Sequence, residues 1–178
     1  DGCIVARSQE AKDLGVPMGA PIFKEKARVK SHNIAVMSSN YVLYGDMSRR
    51  VMEVLQSFAS QSEVYSIDES FLLWDKVPDD LLAYGAMIKE TVYRWTGIPV
   101  SVGFGETKTL AKSASKLAKK NDGVYCLRSD DQATLKSLPV SSLWGIGKRS
   151  AEKLHTLRIQ TVFDLQQAKD DTIRSILT

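Results

Sequence analysis

The sequence has few cysteines and histidines, and none of them stands in a recognisable metal or redox motif. Cys3 and Cys126 are its only cysteines, without Cys-x-x-Cys spacing or a nearby histidine cluster, which favours two reduced, semi-buried thiols. His32 and His155 also stand alone, without acidic or cysteine partners at ligand spacing, which favours surface or packing roles. No serine lies in a Gly-x-Ser-x-Gly elbow, so nothing supports hydrolase chemistry of that kind.

The sequence also lacks a long apolar run. No segment approaches the roughly 20 apolar residues that a membrane-spanning helix needs, and the first residues resemble neither a signal peptide nor a transit peptide. We therefore expect a cytoplasmic protein. The 178 residues are 43% hydrophobic and 25% charged with a net charge of +3, a globular composition with room for one sizeable core. A mild net charge excludes little, because an acidic metal site and a basic nucleic-acid surface cancel in the sum.

Hydrophobic periodicity predicts alternating helices and strands up to about residue 128. The predicted helices cover 8–14, 21–27, 44–58, 81–95 and 107–117, and the predicted strands cover 34–37, 64–67, 71–74, 100–104 and 123–127. This order, with a hairpin in the middle, predicts an α/β (α+β) fold with a mixed sheet and helices on one face. Only short helices follow, at 132–137, 148–157 and 162–168, so we place a domain boundary near residues 128–138.

Two neighbouring acids, Asp68 and Glu69, interrupt an otherwise apolar β segment. Burying such charges without a counter-charge is unfavourable, so the acids must reach solvent or a cation. One interpretation is a polar hairpin turn. The other is a Mg²⁺ site, because hard cations bind through one or two carboxylates plus substrate phosphates. Neighbouring strand residues point to opposite faces, so the two acids can share a metal site only at a bend or a strand end.

A lysine-rich helix is predicted to begin after Thr107, its N-cap. Lys108, Lys112 and Lys116 recur at spacings of four and form one stripe opposite the apolar side. Their mutual repulsion destabilises the helix by a few tenths of a kcal/mol per pair unless an anion relieves it. The stripe is either a solvated helix face or a contact for the phosphates of DNA or of a nucleotide. Lys108 and Lys112 are therefore candidate DNA-binding residues.

A glycine-containing turn at residues 144–147, WGIG, leads into a helix that begins with Lys148 and Arg149. Free backbone N–H groups and the positive end of the helix dipole favour an anion there. We interpret Gly145, Gly147, Lys148 and Arg149 as residues that bind a DNA backbone. The alternative is an αα-hairpin whose glycines only let two helices pack closely. A dinucleotide fold is disfavoured because no parallel strand precedes the turn and the third glycine is missing.

Six segments together resemble the Y-family translesion DNA polymerases, most closely their bacterial UmuC branch. The matching segments are DGC at 1–3, AK at 11–12 with LGV at 14–16, SSNY at 38–41, YSIDE at 65–69, TKTLAK at 107–112 and WGIG at 144–147. The resemblance covers nearly the whole chain, and in this order and spacing the motifs are highly specific. It implies an error-prone, lesion-bypass DNA polymerase that transfers a deoxynucleotide to a primer 3′ hydroxyl with two Mg²⁺ ions.

The resemblance also implies a domain assignment: fingers at 1–30, palm at 31–128, and a thumb with a helix-hairpin-helix at 129–178. The family opens with a strand that bears its first metal-binding aspartate and the aromatic residue that excludes ribonucleotides. This sequence begins after that strand, and it stops before the little-finger domain. We therefore expect the chain by itself to have little or no polymerase activity.

The family's site residues carry over to particular positions. Asp68 and Glu69 match the second and third metal-binding carboxylates, which makes them the expected catalytic residues and Mg²⁺ ligands. Lys119 matches the palm lysine that contacts the incoming triphosphate, and Lys12 falls where a basic fingers residue does likewise. Many relatives carry arginine there, so Lys12 would act as a point charge rather than a fork. Gln9 stands where many relatives carry a tyrosine that contacts the triphosphate.

By resemblance, the partners would be primer-template DNA, a dNTP, a UmuD-type accessory subunit, the RecA filament and the sliding clamp. The setting would be SOS-induced DNA repair in the bacterial cytoplasm, at the nucleoid. Two alternatives from other classes remain. One is a non-catalytic DNA-binding module in which residues 138–169 bind a duplex backbone without reading sequence. The other is a purely structural α/β domain that docks to a partner.

Overall fold

The computed structural model describes residues 2–177. Its helices are α1 (Gln9–Asp13), α2 (Ile22–Ser31), α3 (Tyr41–Gln56), α4 (Leu81–Thr96), α5 (Lys108–Ala118), α6 (Gln132–Ser137), α7 (Lys148–Thr156), α8 (Val162–Gln167) and α9 (Asp170–Leu177). Its strands are β1 (Gln61–Ser66), β2 (Glu69–Leu73), β3 (Val102–Gly105) and β4 (Val124–Leu127). A short 3-10 turn spans Val140–Ser142.

The chain divides into two compact units, one up to Asp46 and one from Met47 onward, so α3 runs across the division. This division does not coincide with the expected boundary at residue 30 or with the one near residue 128. The assignment of fingers, palm and thumb stays a prediction. No helix within residues 2–177 is both long enough and apolar enough to cross a bilayer.

The first unit has short helices and a small buried interior. The Ser8 side chain caps α1 by accepting the N–H of Ala11, and Ala11 is buried together with Val16. The predicted strand at 34–37 is wrong, because these residues form neither helix nor strand. Val36 and Met37 are 60% and 87% exposed, so the apolar run that suggested a strand has no cover within the described residues.

The second unit contains the predicted hairpin and a parallel strand pair. β1 and β2 pair antiparallel, and β3 and β4 pair parallel. The mixed α/β class is confirmed, but the strands lie in two separate two-stranded sheets rather than in one mixed sheet. One mixed sheet would need a strand hydrogen-bonded to both pairs, and there is no such strand among residues 2–177. Ile88 and Val92 of α4 are fully buried and pack with Val51 and Val54 of α3 beside these strands.

Helix α5 lies unusually close to β3. It begins after Thr107, whose hydroxyl accepts the N–H of Leu110, as the sequence predicts for an N-cap. A Cβ atom on Gly103 would lie 2.1 Å from the backbone nitrogen of Ser115, and one on Gly105 would lie 2.4 Å from that of Ala111. Glycine is therefore required in β3 for the helix to approach the strand.

The C-terminal helices share a core with α5. Ala114 of α5 and Leu127 of β4 are buried against Leu135 of α6 and Val162 of α8. The predicted helices at 132–137, 148–157 and 162–168 are all present, within one or two residues of their expected ends. Helix α9 was not predicted, although Ile173, Ile176 and Leu177 recur at helical spacing; they pack against the core around Leu154.

The segment that joins the α/β part to these helices is held from both sides. Glu106, just after β3, accepts the N–H of Ser129 at 3.1 Å, and Gln166 of α8 donates to the Ser129 carbonyl at 2.9 Å. Hydrogen bonds from the Ser129 hydroxyl and N–H lower the pKa of Glu106. The segment near the predicted boundary is therefore tied to both neighbouring parts of the second unit.

Candidate active site

The two acids lie at the tip of the β1–β2 hairpin. Ser66 pairs with Glu69 across the hairpin, which leaves Ile67 and Asp68 as a two-residue turn. The register shifts just before the turn, between Val64 and Ser66. Both acids are exposed, so neither carboxylate is penalised by burial. The tight turn also removes the strict alternation that would send neighbouring side chains to opposite faces.

A serine of the same hairpin orients Asp68. The Ser66 hydroxyl donates to Oδ1 of Asp68 at 2.8 Å and accepts the Asp68 N–H at 3.4 Å. A serine two residues before an aspartate can close such a local turn. The sequence analysis missed this role, although the spacing in the Ser66-x-Asp68 string was a usable signal.

Glu69 contacts the lysine-rich helix directly. Nζ of Lys112 donates to Oε2 of Glu69 at 3.0 Å. The same ammonium lies 4.6 Å from the ring centre of Tyr65 and 5.1 Å from that of Trp144. Only 16% of the Lys112 side chain is exposed, compared with 47% for Glu69. Lys112 is thus a largely desolvated cation, held by one carboxylate and two aromatic rings.

Lys108 makes a parallel but more exposed set of contacts one turn earlier. Its ammonium pairs with Glu63 of β1 and lies 5.2 Å from the ring centre of Phe71. The Lys108 and Glu63 side chains are 51% and 56% exposed. The anions that relieve repulsion along the stripe are therefore two glutamates of the hairpin. Contact of Lys108 and Lys112 with DNA phosphates stays a prediction, because the structure shows both lysines paired with acids of their own chain.

Aromatic packing connects the hairpin to the glycine-containing turn. The Trp144 ring lies 5.3 Å from Tyr65 in an edge-to-face arrangement and 5.8 Å from Phe71. Such aromatic pairs contribute about 0.5–1.5 kcal/mol beyond their buried area. Sequence reasoning missed this contact, since the only signal was a tryptophan at the start of the turn.

The glycine-containing turn is open to solvent. A Cβ atom on Gly145 or Gly147 would meet nothing within 4 Å, and both residues are exposed. The alternative in which these glycines let two helices pack closely is therefore wrong. Gly145 has a φ of +88°, and Gly147 caps α7, which begins with exposed Lys148 and Arg149. The first N–H groups of α7 thus lie beside two cations at the surface.

The two lysines expected to contact a triphosphate lie in different units. Lys119 is the C-cap of α5 and is exposed. Lys12 is exposed in the last turn of α1, in the first unit. Gln9, in the same helix, donates to Asp13 at 2.8 Å. Contact of Lys12 and Lys119 with a triphosphate stays a prediction.

The donor set fits a hard cation in part. Asp68 and Glu69 supply exposed carboxylate oxygens, which Mg²⁺ prefers. Within residues 2–177, no group of three or more His, Cys, Asp or Glu residues is arranged to hold a metal ion. The pair would therefore share an ion with further oxygen ligands, such as substrate phosphates or groups outside these residues.

The isolated thiols and imidazoles stay outside this arrangement. Both cysteines are free; Cys126 is half-buried, whereas Cys3 is exposed and not semi-buried as expected. Burial raises the pKa of the Cys126 thiol, which keeps it protonated near neutral pH. His32 is exposed at the end of α2, within hydrogen-bond distance of the Ser31 hydroxyl and the Arg28 carbonyl, which is a surface position.

These features define the class of the molecule: a mixed α/β fold of the Y-family DNA polymerase type that carries a helix-hairpin-helix motif. The model of the impB/mucB/samB family matches residues 1–116, and that of the IMS family HHH motif matches residues 130–159. The chain belongs to the impB/mucB/samB family.

Similarity to individual proteins extends over almost the whole chain. The chain is 43% identical to Protein UmuC of Salmonella typhimurium and 44% identical to Protein MucB of Escherichia coli, in each case over 98% of its length. It spans 43% of the length of each of these relatives. An insertion ternary complex of Dbh DNA polymerase superposes with a TM-score of 0.80 at 30% identity, covering 95% of this chain and 50% of that one.

Proposed function

We propose that this chain forms part of an error-prone, lesion-bypass DNA polymerase that adds deoxynucleotides to a primer 3′ hydroxyl under the direction of a template. The observation that carries the proposal is the neighbouring pair Asp68 and Glu69, both exposed at a hairpin tip, with Glu69 in contact with the lysine-rich helix. The family and the fold shared with a DNA polymerase support the same assignment.

In this proposal, Asp68 and Glu69 are the catalytic carboxylates and hold Mg²⁺ together with ligands from the rest of the protein. Ser66 keeps Oδ1 of Asp68 in place through its hydrogen bond. Magnesium bound there would polarise the α-phosphate and acidify the primer hydroxyl. The carboxylates would act as hard oxygen ligands.

Two sets of basic groups would hold the substrates. Lys119 and Lys12 would contact the triphosphate and offset the charge that develops on the leaving pyrophosphate. The turn with Gly145 and Gly147, followed by Lys148 and Arg149, would bind a duplex backbone through exposed N–H groups and cations. Its solvent exposure supports this role, because a phosphate can approach the glycines without displacing a side chain.

The finer assignments follow from the family and are part of the same proposal. Residues 1–30 would be fingers, 31–128 palm and 129–178 thumb. The complete protein would work on primer-template DNA with dNTPs in the bacterial cytoplasm, at the nucleoid, during SOS-induced repair. A UmuD-type subunit, the RecA filament and the sliding clamp would be its protein partners.

The test is primer extension by the full-length protein with Asp68→Ala. We expect extension to fall by at least 10³-fold, because a carboxylate that holds a metal at the reacting phosphate is lost. Duplex binding should stay within about twofold of wild type, because the turn at residues 144–147 is untouched. Asp79→Ala, an exposed acid outside the hairpin, is the matched control and should extend normally.

The same experiment separates the alternative classes. Extension by the Asp68→Ala protein at the wild-type rate would overturn the role of Asp68 as a metal ligand. A wild-type protein that binds duplex DNA but extends no primer would instead be a duplex-binding module. Steeply salt-dependent duplex binding is expected for both the polymerase and the binding module, since both contact phosphates. A protein that binds neither DNA nor divalent ions would instead be a structural domain.

A further inference from the structure

Lys112 lies at the meeting point of the hairpin, the lysine-rich helix and the glycine-containing turn. Its ammonium bonds Oε2 of Glu69 at 3.0 Å and lies over the rings of Tyr65 and Trp144. With 16% of its side chain exposed, it has few water molecules to replace these partners. Its position beside Glu69 is therefore fixed by packing, unlike that of an ordinary surface lysine.

Lys108 is an internal comparison for this arrangement. It belongs to the same helix, pairs with a glutamate of the same hairpin and lies near one aromatic ring. Both members of that pair are more than half exposed, and Glu63 is not one of the acids at the hairpin tip. An exposed pair contributes little and rearranges freely. Of the two lysines, Lys112 has the more restricted position, and it is the one that contacts Glu69, a candidate metal ligand.

A fixed ammonium beside Glu69 changes the charge that a divalent cation meets. Asp68 and Glu69 carry two negative charges, and Lys112 cancels one of them. A cation that approaches Glu69 must displace the ammonium from Oε2 or bind near it, and both are unfavourable. A polyphosphate that arrives with the cation brings negative charge and removes this disadvantage, because the ammonium then has an anion to neutralise.

We propose that Lys112 is a positioning residue that makes divalent-cation binding at Asp68 and Glu69 depend on an accompanying polyphosphate. This inference rests on the proposed function, since it takes the two acids as metal ligands. Lys112 does not contact the reacting atoms in this account. It acts through Glu69, by neutralising that carboxylate until a nucleotide supplies compensating charge.

The experiment measures Mn²⁺ binding to the full-length protein by electron paramagnetic resonance, without DNA. Each variant is titrated alone and with a non-hydrolysable dNTP analogue. Lys112→Met should bind Mn²⁺ about fivefold more tightly than wild type without nucleotide, because a positive charge near the ion is gone. The gain in affinity on adding the analogue should shrink by a similar factor, about fivefold, since the two effects are linked.

Two variants control for charge and for location. Lys112→Arg keeps the charge and should bind Mn²⁺ within about twofold of wild type. Lys108→Met removes an equivalent charge beside Glu63 and should also stay within about twofold. If Lys112→Met melts below the assay temperature, Lys112→Gln, which keeps a polar end group, replaces it with the same expected increase.

The possible results distinguish this inference from the proposed function. Unchanged or weaker Mn²⁺ binding by the charge-removing Lys112 variants would overturn the role of Lys112, and so would an Arg variant that behaves like the Met variant. Asp68→Asn tests the site itself and should lose most Mn²⁺ binding. If Asp68→Asn binds Mn²⁺ as wild type does, the metal site of the proposed function fails, whatever the Lys112 variants show.

Discussion

The two glycines of β3 and the two glycines of the 144–147 turn are the same residue type in opposite surroundings. Gly103 and Gly105 lie against the backbone of α5, and an added Cβ would come within 2.1 and 2.4 Å of backbone nitrogens. Gly145 and Gly147 have open space on the corresponding side. The first pair serves the packing of a helix on a strand, whereas the second keeps a stretch of surface backbone accessible.

This difference separates residues that build the protein from residues available for binding. Backbone atoms cannot move aside as a flexible side chain can, so the β3 glycines are a condition of the fold. The glycines of the turn meet no such requirement, apart from the positive φ of Gly145. Substitution of a β3 glycine should therefore destabilise the fold more than substitution of a turn glycine.

The largest effect is expected for Gly103→Ala. Its Cβ would meet the Ser115 nitrogen and the Ala111 carbonyl of α5, so the helix would have to shift off the strand. Overpacking of this kind costs about 1–3 kcal/mol and occasionally more, and we expect the upper end because both contacts are backbone. Urea denaturation measures the loss. A variant as stable as wild type would show that α5 moves away easily, and the contrast between the two glycine pairs would disappear.

A smaller effect is expected for Gly145→Ala. There is no clash, but an alanine at a φ of +88° is strained by about 1–2 kcal/mol. Gly147→Ser is the matched control: its φ is −79° and serine is a favoured N-cap residue, so its stability should stay within about 0.5 kcal/mol of wild type. Thermal melts of the two variants check the order. A larger loss at Gly147 than at Gly145 would mean that the turn is packed rather than open.

The smallest effect concerns α8, the second helix after the turn. Oδ2 of Asp164 accepts the N–H groups of Thr161 and Gln160 at 2.9 and 3.0 Å, and these bonds lower its pKa. A lowered pKa means that the carboxylate's stabilising contribution is complete above the unfolded value, about 3.9, and is lost as pH falls through the folded value.

Asp164→Asn keeps an acceptor but carries no titrating charge, so it isolates this contribution. The stability difference between wild type and the variant should be constant from pH 7 to about pH 5 and should shrink on further acidification. Urea midpoints at a series of pH values measure it. A difference that grows below pH 4 would show that another interaction, and not this cap, stabilises the helices around the turn.

Local features of the fold could be predicted because their physical causes are close in sequence. Thr107 caps α5 through a hydrogen bond to a residue three positions away, and the hairpin around Asp68 follows from two apolar segments that flank a polar turn. The strand expected at 34–37 failed for the opposite reason. A strand needs a partner, and the sequence of those residues does not say whether one is present.

In the candidate site, too, some residues could be identified from sequence and others could not. Asp68 and Glu69 could be selected from sequence, because paired acids inside an apolar β segment need solvent or a cation. The partner of Lys112 could not be identified from sequence, because Glu69 is 43 residues away and no acid stands at helical spacing from the lysine stripe. Trp144 was quoted only as part of a turn, whereas the structure packs it against Tyr65 and Phe71 of the hairpin.

The sequence by itself determined most of the elements and their order, the Thr107 cap, the acid-bearing turn and the family, since each depends on residues a few positions apart or on matching motifs. Only the tertiary structure decided that Lys112 is the desolvated lysine beside Glu69, that α5 packs directly against Gly103 and Gly105, and that the strands form two pairs. Those properties depend on distances between segments far apart in the chain, and such distances are set by packing.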